Sequence, residues 1–207
     1  MALKTVNLND SEEIEQVILQ IDSFLKTAVG EARYEHSVRT AQTAEKMCGI
    51  YGLNPRTGYL AGIAHDMCKE LTVEELFKLV SEDGKPVSIL EQNKPGLLHG
   101  RAAAVLIQRS FGVKDPDVIS AIANHTFAAP KISDLGKILF AADKIEPGRP
   151  QSTEKYRSRL FSKTLDDMTL SVLKENIEYL EKKGKKVAKP SYDLAMELES
   201  KLKKQGL

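Results

Sequence analysis

The sequence contains four histidines, His36, His65, His99 and His125, and each stands in an apolar neighbourhood. His65-Asp66 is embedded in LAGIAHDMC and His125 follows VISAIAN. His99 lies between Leu97-Leu98 and AAAVLI, and Asp143 ends ILFAAD. A carboxylate inside such a run is expensive to bury unless it is paired or bound to a cation. No Arg or Lys inside those runs matches the two aspartates. Taken singly, each residue has a plain structural reading. Asp143 could cap the turn over Ile145–Pro147, His99 could simply begin a helix, and a lone histidine on an apolar face is commonly a satisfied core residue. Taken as an ordered set (H, HD, H, H, D, on five separate helices), they use up every histidine in the chain and point to a metal centre. Imidazole and carboxylate donors together suit iron, manganese, cobalt or zinc. Six protein ligands exceed one tetrahedral site and fall short of saturating two octahedral ions, leaving positions for water and phosphate oxygens.

The elements that must position these residues read as helices. Asp10 followed by Glu13 caps a helix in which Ile14, Val17, Ile18, Ile21, Phe24 and Leu25 follow helical spacing. A second helix runs from Tyr34 to Ile50 and stops at the Gly49–Gly52 region. Asn54-Pro55 starts a third that continues through YLAGIAHDMCKE. Thr72 with Glu75 forms a capping box. His99 sits early in a helix closed by Gly112, Asp115-Pro116 begins the next, and Ser133 precedes LGKILFAADKI, which ends at Pro147-Gly148. Hairpin signals and alternating β-branched runs are lacking, so the expected fold class is all-α. Residues 10–150 are expected to form the core. Residues 151–207 are expected to be C-terminal helices, about Leu165–Lys182 and Ser191–Lys204, packed on the same domain. The stretch RPQSTEKYRSRLFSKT between core and extension is polar. The last helix has a thin apolar stripe, Leu194, Met196, Leu198 and Leu202, which could also serve as a homodimer contact.

Composition excludes several classes. Of 207 residues, 42% are hydrophobic and 29% charged, an ordinary globular balance. Lys plus Arg is 30 against 29 for Asp plus Glu, which lacks the surplus a nucleic-acid binder needs to neutralise phosphates. Cys48 and Cys68 form no CxxC pair and read as free thiols of a reducing compartment. The N-terminal MALKTVNLNDSEEIEQ turns acidic where a signal peptide needs an apolar stretch. No apolar run is long enough to span a membrane. A cytoplasmic protein is therefore expected, without nucleic-acid or membrane partners.

The order His36, His65-Asp66, Asp143 resembles the HD superfamily of metal-dependent phosphohydrolases, and His99 and His125 resemble the additions of its two-metal subset. More narrowly, RYEHSVRTAQTA (33–44), AGIAHDMCKE (61–70), LLHGRAAA (97–104), AIANHT (121–126) and LGKILFAADKIEPGR (135–149) are similar to the YqeK-like symmetrical bis(5'-nucleosyl)-tetraphosphatases. The resemblance implies an HD-type helical bundle that cleaves diadenosine tetraphosphate into two nucleoside diphosphates by a metal-activated hydroxide. It implies one ion on His36, His65, Asp66 and Asp143, and a second on His99 and His125 with Asp66 bridging, iron being the first expectation for both. Another HD-type nucleotide phosphohydrolase or phosphodiesterase, or a catalytically weak nucleotide sensor, is the alternative.

Asp66 and Lys69 are the candidates for direct catalytic contact. Arg39, Lys69, Thr126, Glu146 and Arg149 are the candidates for substrate. Lys69 lies three residues after Asp66 and Arg39 three after His36, each on the same helical face as its partner. Arg149 follows a proline turn. Thr126 could donate to a phosphate oxygen or to a helix carbonyl. Glu146 could orient a ligand, pair with Arg149 or cap the turn. Two stretches depart from the family pattern, both on the expected substrate side. His125-Thr126-Phe127-Ala128-Ala129 lacks a glycine, and Arg149 is followed by Pro150-Gln151-Ser152-Thr153 in place of an aromatic, proline and glycine segment.

Overall fold

Asp10 accepts the backbone N–H groups of Glu12 and Glu13 and starts α1, Ser11–Ala28. The structure, a computed structural model, describes residues 4–206; Met1–Leu3 of the N-terminal stretch and Leu207 lie outside the described residues. α2 covers Glu31–Tyr51 and is closed by Gly52 in the left-handed region at φ 77°. Asn54 caps α3, Pro55–Ala64, with a proline in the first turn, where the missing N–H costs nothing. The Thr72–Glu75 capping box forms as expected and starts α4, Val73–Val80. A second box, Ser88–Glu91, starts the short α5, Ile89–Asn93, which was not foreseen. Then follow α6 (His99–Phe111), α7 (Pro116–Asn124) and α8 (Asp134–Ile145). The C-terminal part holds α9 (Glu154–Phe161), α10 (Leu165–Lys182) and α11 (Lys189–Lys204). No strand occurs among the described residues, and no helix among them is long and apolar enough to cross a membrane.

Two boundaries at the candidate site differ from the sequence reading. The third helix does not run through HDMCKE. After Ala64 the N–H groups of Met67, Lys69 and Leu71 bond three residues back, so tight turns replace the α-helical ladder. His65 and Asp66 therefore sit at a helix end. His125 likewise follows α7 instead of lying within it. The polar stretch after Arg149 contains α9, which fully buries only Leu160, with Tyr156 and Phe161 partly buried beside it.

The core forms around α8, whose Ile138, Leu139, Phe140, Ala141 and Ala142 are wholly buried. α2, α3, α7 and α10 pack against it. The α2–α3 crossing is unusually close, because a Cβ at Gly62 would lie 2.5 Å from Ala41 Cα. That approach carries the end of α3, with His65, alongside the helix of His36. The extension packs α10 on α8 and α11 on α10. Leu194, Leu198 and Leu202 of the last helix are buried in the chain's own interior, and Met196 alone of that stripe stays exposed.

Candidate metal centre and its cavity

His36 comes from α2, His65 and Asp66 from the end of α3, His99 from the start of α6, His125 from the end of α7 and Asp143 from the last turn of α8. All six are buried and converge. His36 Nε2 lies 3.1 Å from Asp143 Oδ1 and 3.7 Å from Asp66 Oδ2. His65 Nε2 lies 3.5 Å from Asp66 Oδ2 and 3.9 Å from Asp143 Oδ1. On the other side, Asp66 Oδ1 is 3.0 Å from His99 Nε2 and 3.7 Å from His125 Nε2. Two groups have ligand atoms close enough together to share an ion: His36, His65 and Asp143; and His65, Asp66 and His125.

The imidazole tautomers follow from what stands behind each ring. The Nδ1 atoms of His65, His99 and His125 donate to the carbonyls of Gly62, Gly96 and Ile122 at 2.7, 2.6 and 2.7 Å. A neutral ring that uses Nδ1–H in this way presents a bare lone pair at Nε2. Burial favours the neutral form, pulling His65 down to about 3 and lowering His99. His99 Nε2 and His125 Nε2 stand 3.0 Å apart, lone pair to lone pair. The approach of His99 Nε2 to Asp66 Oδ1 is of the same kind. His65 Nε2 and Asp66 Oδ1 are buried without a hydrogen-bond partner. Such a ring of acceptors facing one another is repulsive unless cations lie among them, so the donor set fits divalent metal ions.

His36 is held differently. Its Nδ1 faces Glu146 Oε1 at 3.1 Å, the carboxylate–histidine arrangement that orients a ligand ring from behind. Burial works against charging this ring, but Asp143 and Glu146 outweigh it and raise its pKa. Glu146 also accepts from Arg39 Nε at 2.7 Å and from the Gly148 N–H. Arg39 lies over Gly148, where a Cβ would come 2.6 Å from its guanidinium nitrogens. Burial opposes ionisation of Glu146, and His36 and Arg39 override it, bringing the carboxyl down to about 2. Asp66 and Asp143 are also buried against their charge. Lys144, then His36, hold Asp143 well below the usual carboxylate range.

A cavity of about 530 Å³ opens on this cluster, with Asp66, His99, His125 and Asp143 in its wall. Lys69, Thr126 and Arg149, expected at the substrate, also line it. Arg39 and Glu146 are not among its lining residues; they stand behind His36. Lys69 Nζ is 3.2 Å from His99 Nε2, and burial lowers its pKa. Arg149 donates to Asp143 Oδ1 at 2.6 Å and to the Asp143 carbonyl at 2.8 Å.

Several lining cations were not singled out from sequence. Arg33 donates to Asp66 Oδ2 at 2.7 Å and Lys144 to Asp143 Oδ2 at 2.6 Å. Arg33 lies three residues before His36, so the spacing argument applied to Arg39 would also have found it. Lys94, Lys185 and Lys186 complete the set. Only a tertiary arrangement brings them here, and KKGKK reads by itself as a solvated turn. Cys48 and Cys68 are free and buried outside the lining, and burial pushes both thiols up to about 12.

Residues 33–148 match the HD domain family. The chain is 31% identical to a symmetrical bis(5'-nucleosyl)-tetraphosphatase of Bacillus subtilis, over 79% of this chain and 87% of that one. It is 34% identical to the protein of the same name from Halalkalibacterium halodurans, with the same coverage of each. It also superimposes with a TM-score of 0.81 and 30% identity on a crystal structure described as a predicted HD superfamily hydrolase involved in NAD metabolism from Clostridium acetobutylicum, covering 88% of this chain and 96% of the other.

Proposed function

The chain belongs to the HD-domain family and, within it, to the symmetrical bis(5'-nucleosyl)-tetraphosphatases, and from that footing we propose that it hydrolyses diadenosine tetraphosphate, or a related dinucleoside polyphosphate, to two nucleoside diphosphates. The observation that carries this reading is the make-up of the cavity. Buried imidazoles and carboxylates stand at one wall, and seven cationic side chains (Arg33, Lys69, Lys94, Lys144, Arg149, Lys185 and Lys186) line it with only Asp66 and Asp143 as acids. A volume of about 530 Å³ suits a nucleotide.

In the proposed centre His36, His65, Asp66 and Asp143 would hold one ion, and His99 and His125, with Asp66, would hold the second. Bound divalent ions would supply Lewis acidity toward a phosphoryl oxygen and lower the pKa of water. Iron is the proposed metal, with manganese, cobalt and zinc compatible with the same donors. The chain's own cations do the rest. Arg33, Lys144 and Arg149, now on Asp66 and Asp143, stand where phosphoryl oxygens of a substrate would share them, and Lys69 reaches the same wall. Thr126 offers a hydroxyl beside His125. A leaving nucleoside diphosphate departs as a stabilised anion, so neutralisation of charge matters more than a strong general acid. The buried free thiols fit the proposed cytoplasmic location.

Incubating the purified protein with diadenosine tetraphosphate and separating the nucleotides tests the reading. ADP as sole product, lost in Asp66→Ala, is the expected result. AMP with ATP would reject symmetrical cleavage, and the absence of turnover with iron, manganese or cobalt supplied would reject the substrate.

A further inference from the structure

The seven cations of the cavity are not equivalent. Arg33, Lys144 and Arg149 are each bonded to Asp66 or Asp143, and Lys69 stands at His99 and Asp66. Lys94, Lys185 and Lys186 have no carboxylate partner among the described residues and line the same cavity. They come from two separate places in the chain. Lys94 ends α5, and Lys185 and Lys186 lie in the turn between α10 and α11.

That turn is built and not merely loose. Gly184 takes φ 64°, and the Lys185 N–H bonds the Leu180 carbonyl at 2.9 Å, so the chain reverses at the end of α10 with a defined path. α11 then returns to the metal side, where Ser191 donates to the Phe127 carbonyl at 2.5 Å and the Lys131 N–H reaches the Glu197 carboxylate. Phe127, Leu180, Ala188 and Asn176 join the lysines in the wall, so apolar surface and an amide lie beside the charges.

A dinucleoside polyphosphate must be held at both ends, with one phosphate chain at the ligand cluster and the other half extending from it. We infer that Lys185 and Lys186 of the α10–α11 turn, with Lys94, form a second anionic subsite, which takes the phosphates of the half that departs. The inference deepens the proposed function and rests on it for the identity of the substrate. On this view the C-terminal helices complete the site and select for a substrate with two phosphate-bearing halves.

The test uses the full chain with Lys185→Ala/Lys186→Ala, Lys94→Ala, and Lys185→Arg/Lys186→Arg. Turnover of diadenosine tetraphosphate and calorimetric binding of inorganic tripolyphosphate are both read, with thermal melting as the folding control. The expected result is a KM at least fivefold higher in the alanine variants, with kcat within about twofold and melting unchanged. Tripolyphosphate binding should weaken by a similar factor, and the double arginine variant should restore both. Unchanged KM and tripolyphosphate affinity, with the wild type active, would overturn the subsite and leave the proposed function standing. A fall in kcat at constant KM would overturn it too, because the turn would then act on the site's shape and not on phosphate. A wild type that cleaves no dinucleoside polyphosphate, yet loses tripolyphosphate affinity in the alanine variants, would remove the substrate assignment and keep the anionic subsite.

Discussion

The two carboxylate oxygens of Asp66 face different partners: Oδ2 looks toward His36 and His65, Oδ1 toward His99 and His125. A side chain so placed would serve both proposed ions, whereas His125 would serve one. Asp66→Ala should therefore lose both metals and His125→Ala mainly one, as counted by elemental analysis of the purified variants; full occupancy in Asp66→Ala would sink the shared-ligand assignment. Ala128 poses a different question. It stands at φ 47° and is wholly buried. Left-handed backbone costs an alanine about 1–2 kcal/mol. Burying its methyl returns about 0.8 kcal/mol, and glycine would lose roughly 0.5–1 kcal/mol more chain entropy on folding. These nearly cancel, which explains why alanine is accepted here. Ala128→Gly should shift stability in denaturant by about 0.5 kcal/mol or less. Ala128→Val, β-branched in the same conformation and overpacked, should cost roughly 2–4 kcal/mol. A large gain from glycine would show that the methyl contributes nothing.

At the scale of elements, the helices announced by caps were legible: Asp10, Asn54, Thr72, Asp115 and Ser133 all accept the backbone N–H groups their positions suggested. α9 was not, because it fully buries one leucine, and its Tyr156 and Phe161 stand in a short stretch rich in charge. The end of α3 was not, because an apolar run continues through Met67 and Cys68 while the backbone changes to tighter turns. The six histidines and aspartates were legible as a set because burial of charge leaves a mark in the local sequence. The cavity's far wall was not, since nothing local tells Lys185 from any exposed lysine. The joint between core and extension is also tertiary. Asp166 of α10 meets Lys137 of α8 at 2.7 Å and Lys201 of α11 at 2.6 Å. Burial opposes its charge, but the two lysines lower its pKa below the ordinary 3.8. A depressed carboxyl stabilises the fold above its unfolded pKa and loses that contribution as pH falls through the folded value. Asp166→Asn should thus cost roughly 1–3 kcal/mol at pH 7, and its deficit should close as pH drops below the ordinary carboxyl value. Chemical denaturation of both proteins across that range measures it. A deficit that persists undiminished in acid would mean that the loss comes from packing and not from charge.

For the molecule as a whole, the proposed ions would tie α2, α6, α7, α8 and the end of α3 at one point, close to the buried surface that α8 shares with its neighbours. Without metal the Nε2 atoms of His65, His99 and His125 and the two carboxylates are left facing one another, eased by Arg33, Lys144 and Arg149 and by Lys69 at His99. Ligands that bind only the folded state stabilise it by mass action, about 4 kcal/mol when they exceed their Kd a thousandfold. For a chain of this size each kcal/mol moves Tm by roughly 2–4 °C. Chelation followed by desalting should therefore lower Tm by on the order of 10 °C, and readdition of iron or manganese should restore it. The extension should melt with the core, because Asp166 and the buried leucines of α11 join them. A chelated protein with no residual metal and an unchanged Tm would mean that Arg33, Lys69, Lys144 and Arg149 already satisfy the cluster. The facing lone pairs would then need no metal to be stable.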